Sequence, residues 1–579
     1  MTAFLDVDRS LTGRTWQGPD PEHDRIGMAI AQAAGLPLPL SLVLARQGVG
    51  PDTAAAYLEP TLRDLLPDPL SLKDMDRVAG RLLAALERGE KIAVFADYDV
   101  DGGASAALLI DWFRVMGRDV TLYVPDRIDE GYGPNEPAMA ELAAAHDLIV
   151  CVDCGTLSHG PIAAAKDADV VVLDHHLAGA DLPDCAGLVN PNRPDDTSGQ
   201  GHLCAAAVVF LALVELNRLL RAAGRRGPDL MGMLDLVALA TVADVAPLTG
   251  ANRALVRQGL KIMAQRGRPG LVALSDIARL DRAPDAYHLG YVLGPRVNAG
   301  GRIGRADLGA RCLSTLDRAE AAELAAELDR LNGERREIED AVRLAALAQC
   351  EGRDDPALAW AAEDGWHPGV VGIVASRLKE AMNRPAVVIG FDGDAGKGSG
   401  RSVAGVDLGA SIQKLAAEGL IEKGGGHKMA AGLSLTRAQL EPAMARLSEL
   451  LARQGAGEGG RGALRLDGLL APAAATVDLV EALETAGPFG QGAPAPRFAL
   501  PALRITQVRE VGTGHLKLGL TDGSARLDAI AFRAFETPLG TALAGHAGRL
   551  VHVAGRVELN HWQGRTSVQL KLDDAAFAE

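Results

Sequence analysis

Cysteine is scarce: six in 579 residues, widely scattered. That excludes a disulfide framework and fits a reducing compartment. Long apolar runs are missing too. The longest, Leu203–Val214, stops at Glu215, short of the ~20 residues that span a bilayer. The first ten residues, MTAFLDVDRS, lack the basic start and apolar stretch of a secretory signal. Together these absences predict a cytoplasmic chain. Basic charge is in deficit, with 59 Lys and Arg against 75 Asp and Glu and a net charge of −16. Taken whole, that balance argues against a nucleic-acid partner. The sum is weak evidence, because a carboxylate-rich metal site adds negative charge that a bound cation cancels locally.

What is present is a chain too long for one core, so three or four domains are expected. Its 48% hydrophobic and 23% charged content is that of a globular protein. Residues 1–75 read as an irregular N-terminal segment that packs on the core that follows. From Met75 to Glu90 the apolar residues fall on one helix face. Three short apolar runs then end in acids. Lys91–Ala96 leads into DYDVDGG, Leu148–Val152 into Asp153, and Val170–Leu173 into Asp174. Helical patterns lie between them, which predicts a parallel sheet with helices on its faces. Ligands in such sheets sit at the carboxyl ends of strands, so all three acidic ends point to one site.

Residues 76–250 are thus read as the catalytic domain, and 251–350 as a helical region. That region ends in one extended helix over Leu316–Cys350, weakest at Gly333. Residues 351–455 resume α/β patterning. Gln454–Gly462 reads as a linker, and strand-like segments over 463–579 predict a small β-barrel.

Asp97, Asp99 and Asp101 alternate after a strand. With Asp153, His175, His176 and Asp244 they make an oxygen-rich set that suits Mg2+ or Mn2+ better than zinc. Two such ions would serve phosphoester hydrolysis. A calcium loop is the bland alternative to DYDVDG. It fails on spacing, since the twelfth position from Asp97 is Leu108 rather than Glu. A pair of core histidines is the bland alternative to His175 and His176, and it loses to their place directly after a strand-end Asp. Cys151 and Cys154 have no second CxxC and read as small strand-end residues. Two glycine-rich segments, GKGSGRS over 396–402 and GGGH over 424–427, offer backbone amides, hydroxyls and Arg401 to a phosphate. Arg296, Arg302 and Arg305 add a local basic cluster.

DYDVDG, Asp153, DHH and ALATVADVAPL together resemble the DHH phosphoesterase superfamily. GVVGIVASRL, GKGSGRS and GGGHKMAAG resemble its DHHA1 associated domain, and PFGQGAPAPRF with the β-region after it resembles an OB-fold. The order of these motifs is similar to that of the superfamily's single-strand-specific DNA exonucleases. The resemblance implies a parallel-sheet DHH domain and an α/β DHHA1 domain joined by a long helix, with an OB-fold barrel beyond. It implies 5′→3′ release of mononucleotides with two Mn2+ or Mg2+ ions. By motif, Asp99, Asp101, Asp153, His175 and Asp244 would be metal ligands, with Asp97 a ligand or a carboxylate just behind them. His176 would contact the scissile phosphate. Arg296, Arg302, Ser399, Arg401 and His427 would contact the strand. Implied partners are single-stranded DNA, single-strand binding protein and a repair helicase, with no membrane and a monomeric state. Two departures stand out: Ala205–Ala206–Ala207 replaces a GAG-like step, and GTLSHG after Asp153 is atypical. A hydrolase of short oligonucleotides or cyclic dinucleotides is the competing enzyme; the N-terminal segment and barrel favour a polymeric substrate.

Overall fold

The computed structural model describes residues 3–127, 130–457, 461–546, 548–562 and 564–578. Two compact units divide the chain. One holds Leu62–Ala456 with Gly490–Gly492; the other holds Met1–Thr61, Gly457–Phe489 and Ala493–Glu579. No described helix is long and apolar enough to cross a membrane.

The larger unit contains a five-stranded parallel sheet. Its strands are β1 (Ile92–Ala96), β2 (Val120–Tyr123), β3 (Leu148–Val152), β4 (Asp169–Leu173) and β5 (Gly187–Val189), in the order β2-β1-β3-β4-β5. The runs IAVFA and LIVCV are buried throughout, as strands covered on both faces must be. Register pairs Ala96 with Val152 and Val152 with Leu173. The next residue of each strand, Asp97, Asp153 and Asp174, therefore emerges at one sheet end. The three-residue β5 carries no periodicity that a sequence could betray.

Helix α1 (Val100–Val115) begins inside the acidic run, because the Asp99 side chain accepts from Asp101 N–H and Gly102 N–H and caps it. It is buried on every side from Val100 to Phe113, which erases the amphipathic period that would mark its start. Helices α2 (Ala205–Ala222), α3 (Leu234–Ala243) and α4 (Gly294–Ile303) complete the catalytic layer. The expected long helix is α5, Arg318–Glu351, about 50 Å long. Its first half packs on α4 and its second on helix α6 (Pro368–Met382) and strand β6 (Ala359–Asp364).

Beyond it lies a second sheet of β6, β7 (Ala386–Asp392), β8 (Ala395–Arg401), β9 (Lys423–His427) and β10 (Ala430–Thr436), in the order β9-β10-β8-β7-β6. The two glycine-rich segments are therefore strands. Those of β8 are paired on both sides, with β7 and β10, which removes most of the free amides expected of them. The expected linker 454–462 falls partly on residues 458–460, outside the described residues. Residues 454–456 close the turn after the helix Arg437–Ala452.

In the smaller unit, strands β11 (Phe498–Val511), β12 (His515–Thr521), β13 (Arg526–Ala531), β14 (Leu550–Trp562) and β15 (Arg565–Phe577) close into a barrel in the order β11-β12-β13-β15-β14-β11. Residues 1–75 do not behave as one segment: residues 62–75 belong to the larger unit. The segment divides at Thr61. The strand Arg14–Gln17 pairs with Arg461–Arg465, and Ile30, Leu40, Val43 and Leu44 join the barrel core. The reason is hydrophobic: these helices have an apolar face that the barrel and the helix Val477–Glu484 cover.

Trp16 is fully buried, and its indole N–H donates to Asp574 at 2.9 Å, also inside. Trp16→Phe leaves that carboxylate oxygen without its partner. We expect a loss of about 1–3 kcal/mol, read as a lower denaturant midpoint for the C-terminal unit with an unchanged slope.

Candidate metal and phosphate site

The strand ends bring the predicted acids together. Among the described residues, ligand atoms of Asp97, Asp99 and Asp153 lie within 4.8 Å of one another, as do those of Asp101, His175 and Asp244, and those of Asp153, His175 and His176. His175 Nε2 stands 3.3 Å from Asp153 Oδ1 and 3.7 Å from Asp101, and its Nδ1 is 3.8 Å from Asp244. All seven predicted residues thus fall in one cluster. Two trios, one holding Asp153 and the other His175, adjoin across the contact between those two residues.

The donor set fits divalent cations. Asp97 Oδ1 and Asp153 Oδ1 are buried with no hydrogen-bond partner, a costly arrangement unless something else satisfies them. Burial first, then the neighbouring carboxylates, pushes Asp97, Asp101 and Asp153 above the ordinary carboxylate range, although His175 pulls Asp101 back. Asp244 rises to about 8, through burial and then the charges of Asp101 and Asp99. Local backbone is strained here as well. Asp153 and Val245 both have φ of 60°, and for a β-branched residue such as Val245 that is a true outlier. Gly102 is required by close approach, since a Cβ there would meet the Asp97 carbonyl oxygen at 2.4 Å.

A layer of hydrogen bonds behind the cluster holds it. Both Asp101 oxygens accept from the first amides of α2, Ala205 at 2.7 Å and Ala206 at 2.8 Å. Those are backbone contacts, so the alanine step in place of the GAG-like one leaves them intact. Asp174 is not grouped with the ligands. Its Oδ1 accepts from His176 Nδ1 at 2.8 Å and from the amides of His175 and His176; its Oδ2 accepts from the Thr156 hydroxyl at 2.6 Å. Burial opposes ionisation of Asp174, but these bonds and the His176 charge hold it well below the carboxylate range. The atypical GTLSHG loop is what supplies Thr156. Asn190 donates to the His176 carbonyl at 2.8 Å and to Thr156 at 2.9 Å, while Asn192 donates to the His175 carbonyl at 2.6 Å. His176 loses charge stabilisation to burial, yet its bond to Asp174 and the charges of Asp174, Asp244 and Asp97 raise it to about 9. The Tyr132 hydroxyl lies 3.0 Å from its Nε2.

The predicted basic residues divide. Arg296 is buried; it donates to Asp329 at 2.9 Å and to the Val292 carbonyl at 2.8 Å, tying α4 to α5. Its guanidinium is thus already engaged within the fold. The cause is its place on α4, which packs beneath the acidic run: Asn298 on the same helix accepts from Val100 N–H. Arg302 donates to the Gly369 carbonyl at 3.1 Å, and burial lowers it to about 10. Arg305 is exposed and paired with Asp307. Ser399 accepts from Arg401 at 3.0 Å beside a groove of about 630 Å3 lined by Arg127, Gly369, Lys397, Ser399, Lys423 and Ser434 among others. The N-terminus of α6 opens on it, adding partial positive charge. His427 is exposed at the end of edge strand β9.

Sequence reading missed Arg127, which stacks over the Tyr98 ring at 5.2 Å and lines the groove. It also missed Lys397, Lys423, Tyr132 and the two asparagines. Only the spacing of Asn190-Pro-Asn192, just past a strand, offered any signal.

In the metal-free protein, Asp244 binds protons that the unfolded chain has released between pH 3.8 and about 8, and His176 does so between 6.5 and about 9. Folded protein thus holds more protons than unfolded protein, and stability must fall as pH rises through those windows. Thermal unfolding in EDTA is expected to show that fall, and Mn2+ to flatten it by replacing the protons. Asn192→Asp keeps the shape but removes the donor to the His175 carbonyl; we expect Mn2+ affinity to drop roughly 10–100-fold by titration calorimetry.

Three family models match in order: the DHH family N-terminal domain over residues 91–241, the DHHA1 domain over 354–453 and the RecJ OB domain over 466–574. The single-stranded-DNA-specific exonuclease RecJ of Dickeya dadantii is 39% identical over 93% of this chain and 96% of its own length. The Escherichia coli protein of the same name is 37% identical over the same shares. The crystal structure of RecJ from Thermus thermophilus with Mn2+ superposes with a TM-score of 0.81 at 29% identity, covering 97% of this chain and 79% of that one; a Mg2+ complex gives 0.76. With the ligand trios at the ends of a parallel sheet, these likenesses make the chain a member of the RecJ family of DHH phosphoesterases.

Proposed function

We propose that this protein is a single-stranded-DNA-specific 5′→3′ exonuclease that releases 5′-mononucleotides by two-metal-ion phosphodiester hydrolysis in DNA repair and recombination. The observation that carries the reading is the pair of adjoining ligand trios, joined through Asp153 and His175. Asp97, Asp99 and Asp153 would hold one Mn2+ or Mg2+, and Asp101, His175 and Asp244 the other. Such ions supply Lewis-acid stabilisation and a water acidic enough to act near neutral pH.

The chain's own groups do the rest. His176, oriented by the bond between its Nδ1 and Asp174, would offer its ring to a phosphate oxygen and stabilise the charge that develops there. Asp153, strained and without a hydrogen-bond partner on Oδ1, is set to serve either ion. The groove lined by Lys397, Lys423 and Ser399, with Arg401 bonded to Ser399, suits the strand's phosphates, and Arg127 joins the contact set. Arg302 positions the start of α6, and exposed His427 extends the same edge. On the smaller unit, His515 packs on the exposed Phe532 ring, with Lys571 over it. That surface suits sequence-tolerant stacking. Single-strand binding protein and a repair helicase as partners, and a monomeric state, rest on the resemblance alone. A cytoplasmic location is supported by six free cysteines.

Digestion of a long 5′-phosphorylated strand to mononucleotides tests the reading; cleavage of dinucleotides only would favour the small-substrate hydrolase. Asp153→Ala is expected to abolish cleavage while strand binding persists, and unchanged turnover would sink the metal assignment. Lys397→Ala with Lys423→Ala is expected to weaken binding of all sequences alike. The salt dependence should flatten by about 1.4 in log–log slope, roughly 0.7 for each phosphate that a lysine no longer neutralises on a single strand; an unchanged slope would remove the groove from the strand's path.

A further inference from the structure

Four tyrosines, Tyr98, Tyr132, Tyr287 and Tyr291, stand in two ring pairs in the larger unit. Tyr98 and Tyr132 pack edge to face beside the metal cluster. Tyr287 and Tyr291 do something else. Their rings stack at 5.1 Å and 27°, yet they remain 58% and 68% exposed. An aromatic pair so open to water contributes little to the core.

Their backbone is unusually well held. Tyr291 lies in a π-turn, Leu289–Leu293, a helical irregularity common at functional sites. A capping box between Asp285 and His288 fixes the start of that turn, and the His288 ring packs edge-on against Tyr287 at 5.9 Å. The turn is pressed against the last turn of α3. A Cβ on Gly290 would lie 3.4 Å from Val242, and one on Gly294 would lie 3.4 Å from Ala243. The next residue along α3 is Asp244, a member of the metal cluster, followed by the strained and exposed Val245. The rigid tyrosine pair is thus mounted on the helix end that carries a candidate ligand.

We propose that Tyr287 and Tyr291 form a stacking platform for a nucleobase of the single strand whose phosphate occupies the metal cluster. The inference rests on the nuclease reading above. A nucleobase is the occupant because a strand seated at Asp244 must pass its bases along the neighbouring surface, and preformed rings hold a base of any sequence at small entropic cost. Charged side chains are not needed for that role.

The test perturbs protein and DNA together. Wild type and the Tyr287→Ala/Tyr291→Ala variant are assayed with Mn2+ on 5′-phosphorylated strands, each carrying one abasic site at a stepped distance from the 5′ end. Wild type should show one or two positions where base removal raises KM about tenfold. The variant should have a KM raised to the same degree on the intact strand, lose the position-specific penalty, and keep kcat within about twofold. Phenylalanine at both positions should restore wild-type behaviour. Identical abasic profiles in the two enzymes, or a wild-type KM in the variant, overturn the platform; if the variant instead loses only association with a protein partner, the rings face that partner and the proposal is wrong. Absence of any strand cleavage by wild type would instead remove the nuclease reading beneath it.

Discussion

The structure depends on a repulsion. Parallel strands in register deliver Asp97 and Asp153 to one sheet end, while a cap, a first helical turn and a helix end add Asp99, Asp101 and Asp244. Two unit charges 4 Å apart repel by roughly 4 kcal/mol at the effective dielectric of a protein surface. Several such pairs in one pocket cannot all stay ionised without a counter-charge. The raised carboxyls and the unpartnered oxygens are two expressions of that one constraint. A pair of divalent cations resolves both, which makes the site chemically unfinished until they bind.

What keeps such a site from collapsing is the layer behind it. Asp101 is clamped by the α2 amides, and the two imidazoles are fixed through their carbonyls by Asn190 and Asn192 and through Asp174 by Thr156. None of these groups needs a metal to be satisfied. The scaffold is therefore prepared before the ions arrive, while Asp97 Oδ1 and Asp153 Oδ1 within the ligand trios lack a hydrogen-bond partner. This division also explains why Asp174, although central to its motif, stands outside the ligand trios: its oxygens are already engaged in holding His176.

Much of this was legible in the sequence, for definable reasons. Strands buried on both faces read as apolar runs, and acids at their ends read as a site; all seven predicted residues converged. The long helix was legible from its charge-rich, thinly apolar pattern. Other features left no local trace. The start of α1 was hidden because the helix is buried all round. Arg296 looked like any exposed arginine in a glycine-rich stretch until its partner, Asp329, 33 residues away, came into view. Glycine-rich β8 and β9 carried no strand signal, because glycine opposes both regular structures, and only pairing with β7 and β10 makes them strands. Arg127 had no signal at all, being one basic residue in a mixed segment. The division of the N-terminal segment at Thr61 also left no trace, since the partners of its apolar face lie beyond Gly457.

That last arrangement has a bearing on how the chain is made. The helices and strand before Thr61 leave the ribosome first, but the strands that cover them start after Gly457. At the usual 5–20 residues per second, the interval is on the order of 20–80 s. During it the catalytic unit can fold as a contiguous block, while Trp16, Leu40 and Leu44 wait without a core. The nascent protein therefore exposes that apolar face until the residues after Gly457 have been made. A chain truncated in the barrel would keep that surface exposed permanently.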